Sequence, residues 1–138
     1  MKDEDIKKFI PQRDPILMVD QLVNVNKEGA TTCFMIQEEN FFLNEKGQMA
    51  ESGVIEHIAQ SASAFAGYKA IAAGASEPPI GYIGEIKNFH CYRCPQIGET
   101  LCTTITIGTE LNGITILTGE TYVSNELIAD TRMKIFVK

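Results

Sequence analysis

The stretch SGVIEHIAQSASAFAGYKAIAAG (Ser52–Gly74) decides the fold. Ser52 is a favourable N-cap residue, and from Gly53 to Ala73 the chain has no proline and is dense in alanine, the strongest helix former. Ile55, Ile58, Ala59, Ala62, Phe65 and Ala66 recur at helical spacing and form one apolar face. At 1.5 Å per residue such a helix is about 30 Å long. Its remaining surface carries Glu56, His57, Gln60, Ser61, Ser63, Ala64 and Gly67. A solvated surface would be rich in Lys and Glu, whereas side chains this small admit other backbone on nearly every side. The helix is therefore expected to be wrapped by the rest of the chain.

Working outward, Gly74 ends the helix, and Pro78-Pro79 returns the chain to an extended course. Four strands are expected beyond it, over residues 80–93, 100–110, 113–123 and 127–137. The short turns Leu111-Asn112-Gly113 and Ser124-Asn125-Glu126 favour antiparallel hairpins. Before the helix, residues 3–10 read as a short helix closed by Pro11. Ile16 to Val25 and Ala30 to Gln37 read as two strands joined at Asn26-Lys27-Glu28-Gly29. The stretch from Phe41 to Ser52 is polar and reads as a loop. One long helix followed by a run of antiparallel strands is an α+β pattern, with a sheet curled around one buried helix.

A chain of 138 residues suits one domain spanning residues 1–138, and 44% hydrophobic with 22% charged residues is ordinary for a soluble protein. No apolar run approaches the length of a membrane helix, and MKDEDIKKFI lacks the apolar core of a signal peptide. A cytoplasmic protein is expected. The net charge of −6 and the absence of a Lys/Arg-rich stretch disfavour nucleic-acid and anionic-membrane partners. Four cysteines do not make a secreted disulfide framework. Cys91 and Cys94, three apart on an expected strand, would point to opposite faces, and two further ligands at suitable spacing are missing. No metal and no cofactor is expected.

Four segments together resemble a known family. IPQRDPILMVDQLV (Ile10–Val23), the Phe41-Phe42 pair followed by GVIEHIAQ (Gly53–Gln60), GYIGEIKNFHCYRCPQIGETL (Gly81–Leu101) and LIADTRMKIFVK (Leu127–Lys138) are similar, in order, to segments of the 3-hydroxyacyl-acyl-carrier-protein dehydratases. The loop from Leu43 into the helix looks closest to a shorter dehydratase-like branch that includes members from aryl-polyene pathways. The resemblance implies a hotdog fold, a dimer with sites at its interface, and dehydration of a (3R)-hydroxyacyl thioester to a trans-2-enoyl thioester. It also implies an acyl carrier protein or coenzyme A thioester as substrate, and a homodimer, higher homo-oligomer or hetero-oligomer with a related dehydratase. Glu56, four places before Gln60, matches the family's helix-borne acid. The family's histidine, which follows the two phenylalanines, has no counterpart in Leu43-Asn44-Glu45-Lys46-Gly47.

The site candidates follow from both readings. Glu56 is the expected acid/base group, and Gly53, Val54 and Gln60 are expected to bind substrate. The backbone N–H groups at the helix start would meet the thioester oxygen. His57 is turned about 100° from Glu56 around the helix, so it would serve across an interface or lie at an interface or on the surface. His90 alternates with Glu85 and Lys87, which puts it on the face shared with Gly84 and Ile86, towards the helix. A basic patch of Lys87, Arg93, Arg132 and Lys134 would meet an acidic carrier, with Lys69 too wrapped to join it. A hotdog thioesterase and a catalytically weak partner of a complete dehydratase are the alternative functions.

Overall fold

A computed structural model describes residues 6–76 and 81–137, with the side chains of 81–84 and 137 outside the description. The strands are β1 (Gln21–Val25), β2 (Gly29–Met35), β3 (Gly81–Cys91), β4 (Thr100–Leu111), β5 (Ile114–Val123) and β6 (Glu126–Val137). One long helix, α1 (Glu51–Ala72), precedes β3. All strand pairs are antiparallel, in the order β1-β2-β4-β5-β6-β3, so β1 and β3 are the two edges of a six-stranded sheet. This is the α+β arrangement expected from the helix and the strand run.

Local chemistry explains the hairpins. Asn112-Gly113 and Ser124-Asn125 both have positive φ at two successive residues, which matches the right-handed twist of the flanking strands. Alternation along β2 and β4 sends Ala30, Thr32 and Phe34 together with Leu101, Thr103 and Ile105 inward, where all six are buried. The helix lies on this inner face. Ile58 sits directly over Gly119 of β5, where a Cβ would come within 2.7 Å of the isoleucine methyl. Only glycine lets the two backbones approach that closely. Six consecutive residues, His57 to Ala62, are buried, so the middle of α1 is enclosed on all sides. Towards its C-terminal end Lys69, Ala72 and Ala73 reach solvent. Lys69 is 41% exposed and pairs with Glu110, so it is not wrapped.

Several boundaries differ from expectation. The helix begins at Glu51 with Ala50 as N-cap and no side-chain cap, so Ser52 is inside the first turn. Its C-terminal end is as expected: Gly74 has φ +104°, and Ala75 N–H bonds back to Ala70 O at 3.0 Å. Residues 16–20 are not strand, because both polar backbone groups of Met18 are taken by the helix rather than by a ladder. β2 starts at Gly29 and ends at Met35, close to the expected span. Phe9 N–H bonds to Ile6 O and the Arg13 guanidinium to Ile10 O, so residues 6–9 form a turn; the earlier part of the expected helix and Pro78-Pro79 lie outside the described residues.

Candidate active site

The chemistry of the helix start converges on one buried amide. Gln60 is wholly buried and uses both ends of its side chain. Its Oε1 accepts Met18 N–H at 2.6 Å, and its Nε2 donates to Ile16 O at 2.8 Å and to Glu56 Oε2 at 2.7 Å. The i, i+4 spacing on one helix places the two side chains together. Because the acceptor and donor ends face opposite partners, only one orientation of the amide satisfies all three bonds. Glu56 is half-buried, with one carboxylate oxygen fixed by Gln60.

His57, one residue on, points the other way into the core, so the expectation of an interface or surface position is corrected. Its Nδ1 lies 2.6 Å from Met18 O and its Nε2 lies 2.8 Å from Thr103 Oγ1. A carbonyl only accepts, so Nδ1 carries the proton and Nε2 accepts from the threonine hydroxyl. Thr103 in turn accepts from Thr121 at 2.7 Å. Burial pushes the imidazole pKa down to about 4, against a smaller raising effect from the Met18 carbonyl. His57 is therefore neutral near pH 7. Together His57 and Gln60 hold Met18 by both its carbonyl and its N–H, and this pulls residues 16–18 onto the helix beside Glu56.

The helix start is also placed differently from expectation. Gly53 N–H and Val54 N–H both bond to Ala50 O, at 2.9 and 3.3 Å, so they are not free for a ligand. A start two residues earlier is the reason. Glu51 and Ser52 now hold the first two positions of the helix, where a backbone N–H has no intrahelical partner. Gly53 is buried, and a Cβ there would stand 2.6 Å from Phe42 Cβ, so its role is to admit Phe42 against the helix.

His90 is on the outer face rather than towards the helix. A bulge sets two residues, Asn88 and Phe89, between the pairs Lys87↔Arg132 and His90↔Asp130, where the partner strand has only Thr131. Asn88 takes φ +52°, and the extra residue reverses the alternation. Phe89 then packs on the core, while His90 is exposed, with Nδ1 2.9 Å from Asp130 Oδ1. Tyr92 donates to the other oxygen of Asp130 at 3.0 Å and stacks on the His90 ring.

The basic patch is largely neutralised. Arg93 engages both oxygens of Glu99 and one of Glu126, while Lys87 and Lys134 share Glu85. The cysteines are corrected as well. β3 ends at Cys91, which leaves Cys94 in the following turn rather than on the opposite face, and the two thiols interact. On β2 and β4, Cys33 and Cys102 are direct partners with their sulfurs 3.0 Å apart. No cluster of three or more metal-binding side chains occurs among the described residues.

Beyond the enclosed part of α1 lies an apolar cavity of about 550 Å³. Phe65, Ala66, Leu111, Ile114 and Ile135 line it, and Lys69 stands at its side. It begins at Ala62, six residues along the helix from Glu56, or about 9 Å by helical rise. No helix among the described residues is long and apolar enough to cross a membrane.

Comparison with known proteins agrees with this architecture. The chain is 28% identical over 135 residues to the 3-hydroxyacyl-[acyl-carrier-protein] dehydratase FabZ of Syntrophotalea carbinolica, covering 94% of this chain and 90% of that one. The fold matches the dehydratase heterocomplex ApeI:P from Xenorhabdus doucetiae with a TM-score of 0.90 at 15% identity, covering 96% and 90% of the two chains. A hypothetical thioesterase with coenzyme A from Streptococcus pneumoniae matches with a TM-score of 0.68 at 8% identity, covering 86% and 84%. These likenesses to solved structures identify the hotdog fold. The family model of the ApeP dehydratases matches residues 4–138, and the chain belongs to the ApeP-like dehydratase family.

Proposed function

We propose that the protein dehydrates 3-hydroxyacyl thioesters to trans-2-enoyl thioesters, with Glu56 as the acid/base group. The observation that carries this reading is the fixed carboxylate: Gln60 holds one oxygen of Glu56 and leaves the other for proton transfer. Loss of water across C2 and C3 needs a group to take the C2 proton and a group to protonate the departing hydroxyl. The N–H groups of Glu51 and Ser52, at the start of the helix, would donate to the enolate oxygen in the role first expected of Gly53 and Val54. The cavity beside Phe65 and Ile114 suits an acyl chain, and the carrier of the thioester is an acyl carrier protein or coenzyme A.

A second reading, that the chain works as one subunit of a hetero-oligomeric dehydratase, has its own support. Neither histidine of the chain is among the bonding partners of Glu56: His57 is spent in the core, and His90 sits on the outer face with Asp130. The second proton-transfer group then comes from another subunit. The most similar fold described above is itself a heterocomplex. His90, with Nδ1 held by Asp130 and Nε2 open, is the group this chain offers in such an exchange.

The test is a dehydration assay on 3-hydroxyacyl-pantetheine and carrier-bound substrates, with the purified protein alone and then with dehydratase-like proteins encoded beside it. Turnover by the protein alone supports the first reading, and turnover only in the mixture supports the second. Hydrolysis of the thioester without dehydration overturns both.

A further inference from the structure

The proposed reaction uses none of the four cysteines, yet two of them are set directly against each other. Cys33 of β2 and Cys102 of β4 are Cα partners with thiol sulfurs 3.0 Å apart. The backbone carbonyl of Cys33 accepts Asp20 N–H at 2.9 Å, so the polar groups of Cys33 face the β1 side. In an antiparallel sheet a residue turns both its N–H and its C=O to one neighbour. Towards β4, Cys33 and Cys102 therefore form a non-hydrogen-bonded pair, the kind with Cα atoms about 4.5 Å apart. That separation falls within the range a disulfide spans, about 4.4 to 6.8 Å. Both side chains lie on the outer face of the sheet and are half-buried, next to the Thr31–Thr104 pair.

We propose that Cys33 and Cys102 are a reversible redox-modification site, oxidised to a cross-strand disulfide by exchange with a low-molecular-weight disulfide of the glutathione type. One sulfur attacks the small disulfide, forming a mixed disulfide and releasing one small thiol. The second sulfur attacks the mixed disulfide, forming the Cys33–Cys102 bond and releasing the other small thiol. Two protein thiols lose two hydrogens and two electrons, and one small disulfide gains them. The Cys33 thiol is held protonated, with its pKa pushed up to about 12 by burial first and then by the hydrogen bond and charge of Cys102. Burial, the largest of these, persists once Cys102 is capped by the first exchange, so resolution of the adduct by Cys33 rests on the fixed proximity of the two sulfurs. Held on neighbouring strands, Cys33 competes with free thiol at a high effective concentration.

The pair is also connected to the candidate active site. Asp20 bonds to the Cys33 carbonyl and, through its carboxylate, to Met35 N–H. Two residues before Asp20 is Met18, the residue gripped by His57 and Gln60.

The experiment equilibrates the native chain, and a Cys91→Ser/Cys94→Ser variant, in buffers of reduced and oxidised glutathione, followed by acid quench, alkylation, mass spectrometry and peptide mapping. The expected product has lost two hydrogens, joins the peptide of Cys33 to that of Cys102, and returns to two alkylatable thiols on reduction. It should exceed the glutathione adducts by at least about tenfold, since fixed neighbours outcompete a millimolar thiol. Mapping the native chain in parallel keeps the test decisive if the double variant does not fold. Adducts without a cross-link, two unchanged thiols, or a Cys91–Cys94 bond in place of Cys33–Cys102 overturn the proposal.

Discussion

The amide of Gln60 and the carboxylate of Glu56 meet at 2.7 Å across one turn of α1, and the other bonds of that amide fasten the segment before β1. The two residues therefore fail differently when changed. Glu56→Gln is nearly isosteric, and its loss of turnover should be at least about 10²-fold, the low end for one positioned proton-transfer group, with thermal unfolding little changed. Gln60→Leu leaves Met18 N–H and Ile16 O buried without partners. At about 1–3 kcal/mol for an orphaned group, it should lower stability by about 2–4 kcal/mol as well as activity. Steady-state kinetics beside urea unfolding separates the two effects.

His57 makes stability depend on pH. Its folded pKa of about 4 lies below the ordinary value of 6.5, so the unfolded chain binds the proton more tightly. The stabilisation is complete above pH 6.5 and is lost as pH falls from 6.5 to 4. At 1.36 kcal/mol per unit this amounts to about 3 kcal/mol. A His57→Leu variant should be less stable at pH 7.5, because Met18 O and the Thr103 hydroxyl lose their partner. The gap from the native chain should narrow by about 3 kcal/mol at pH 4. Urea titrations at both values measure it, and an unchanged gap would show that His57 does not titrate in this range.

Filling the cavity tests its role in chain-length selection. Ala66 is half-buried on its wall, and Ala66→Phe adds a ring where Phe65, Leu111 and Ile114 already line the space. Long-chain substrates should lose about 10-fold or more in kcat/KM, as one misplaced methylene group is worth about 1–3 kcal/mol. A four-carbon substrate should be turned over at near the native rate. Equal losses at both lengths would place the acyl chain elsewhere.

Arg93 braces the turn after β3 through its ion pairs. It joins the turn after β3 to Glu99 and Glu126, and Glu99 also accepts Gln96 N–H. The guanidinium, first among these contacts, holds the Glu99 carboxyl below its usual pKa. Arg93→Ala should cost about 1 kcal/mol, modest because the pair is partly solvated, and the loss should shrink as acid protonates Glu99. Chemical denaturation at pH 7 and pH 3.5 reads it. A carrier-bound substrate should be no more affected than a pantetheine one.

The elements of this protein were legible from residue order because their causes are local. Alanine density and spacing made α1, Asn112-Gly113 and Ser124-Asn125 made the hairpins, and alternation made β2 and β4. Glu56 and Gln60 were legible for the same reason, since four residues is one helical turn. What lay between elements was decided only by packing. One bulge at Asn88 reversed the face of His90, an effect no alternation rule contains. Enclosure of α1 turned His57 from a surface residue into a buried, neutral clamp on Met18, and took residues 16–20 out of β1. The register of β2 on β4 brought together Cys33 and Cys102, sixty-nine residues apart in the chain. Periodicity sets which way a side chain leaves its own backbone, whereas its partner depends on distant segments and the backbone polar groups they leave to be satisfied.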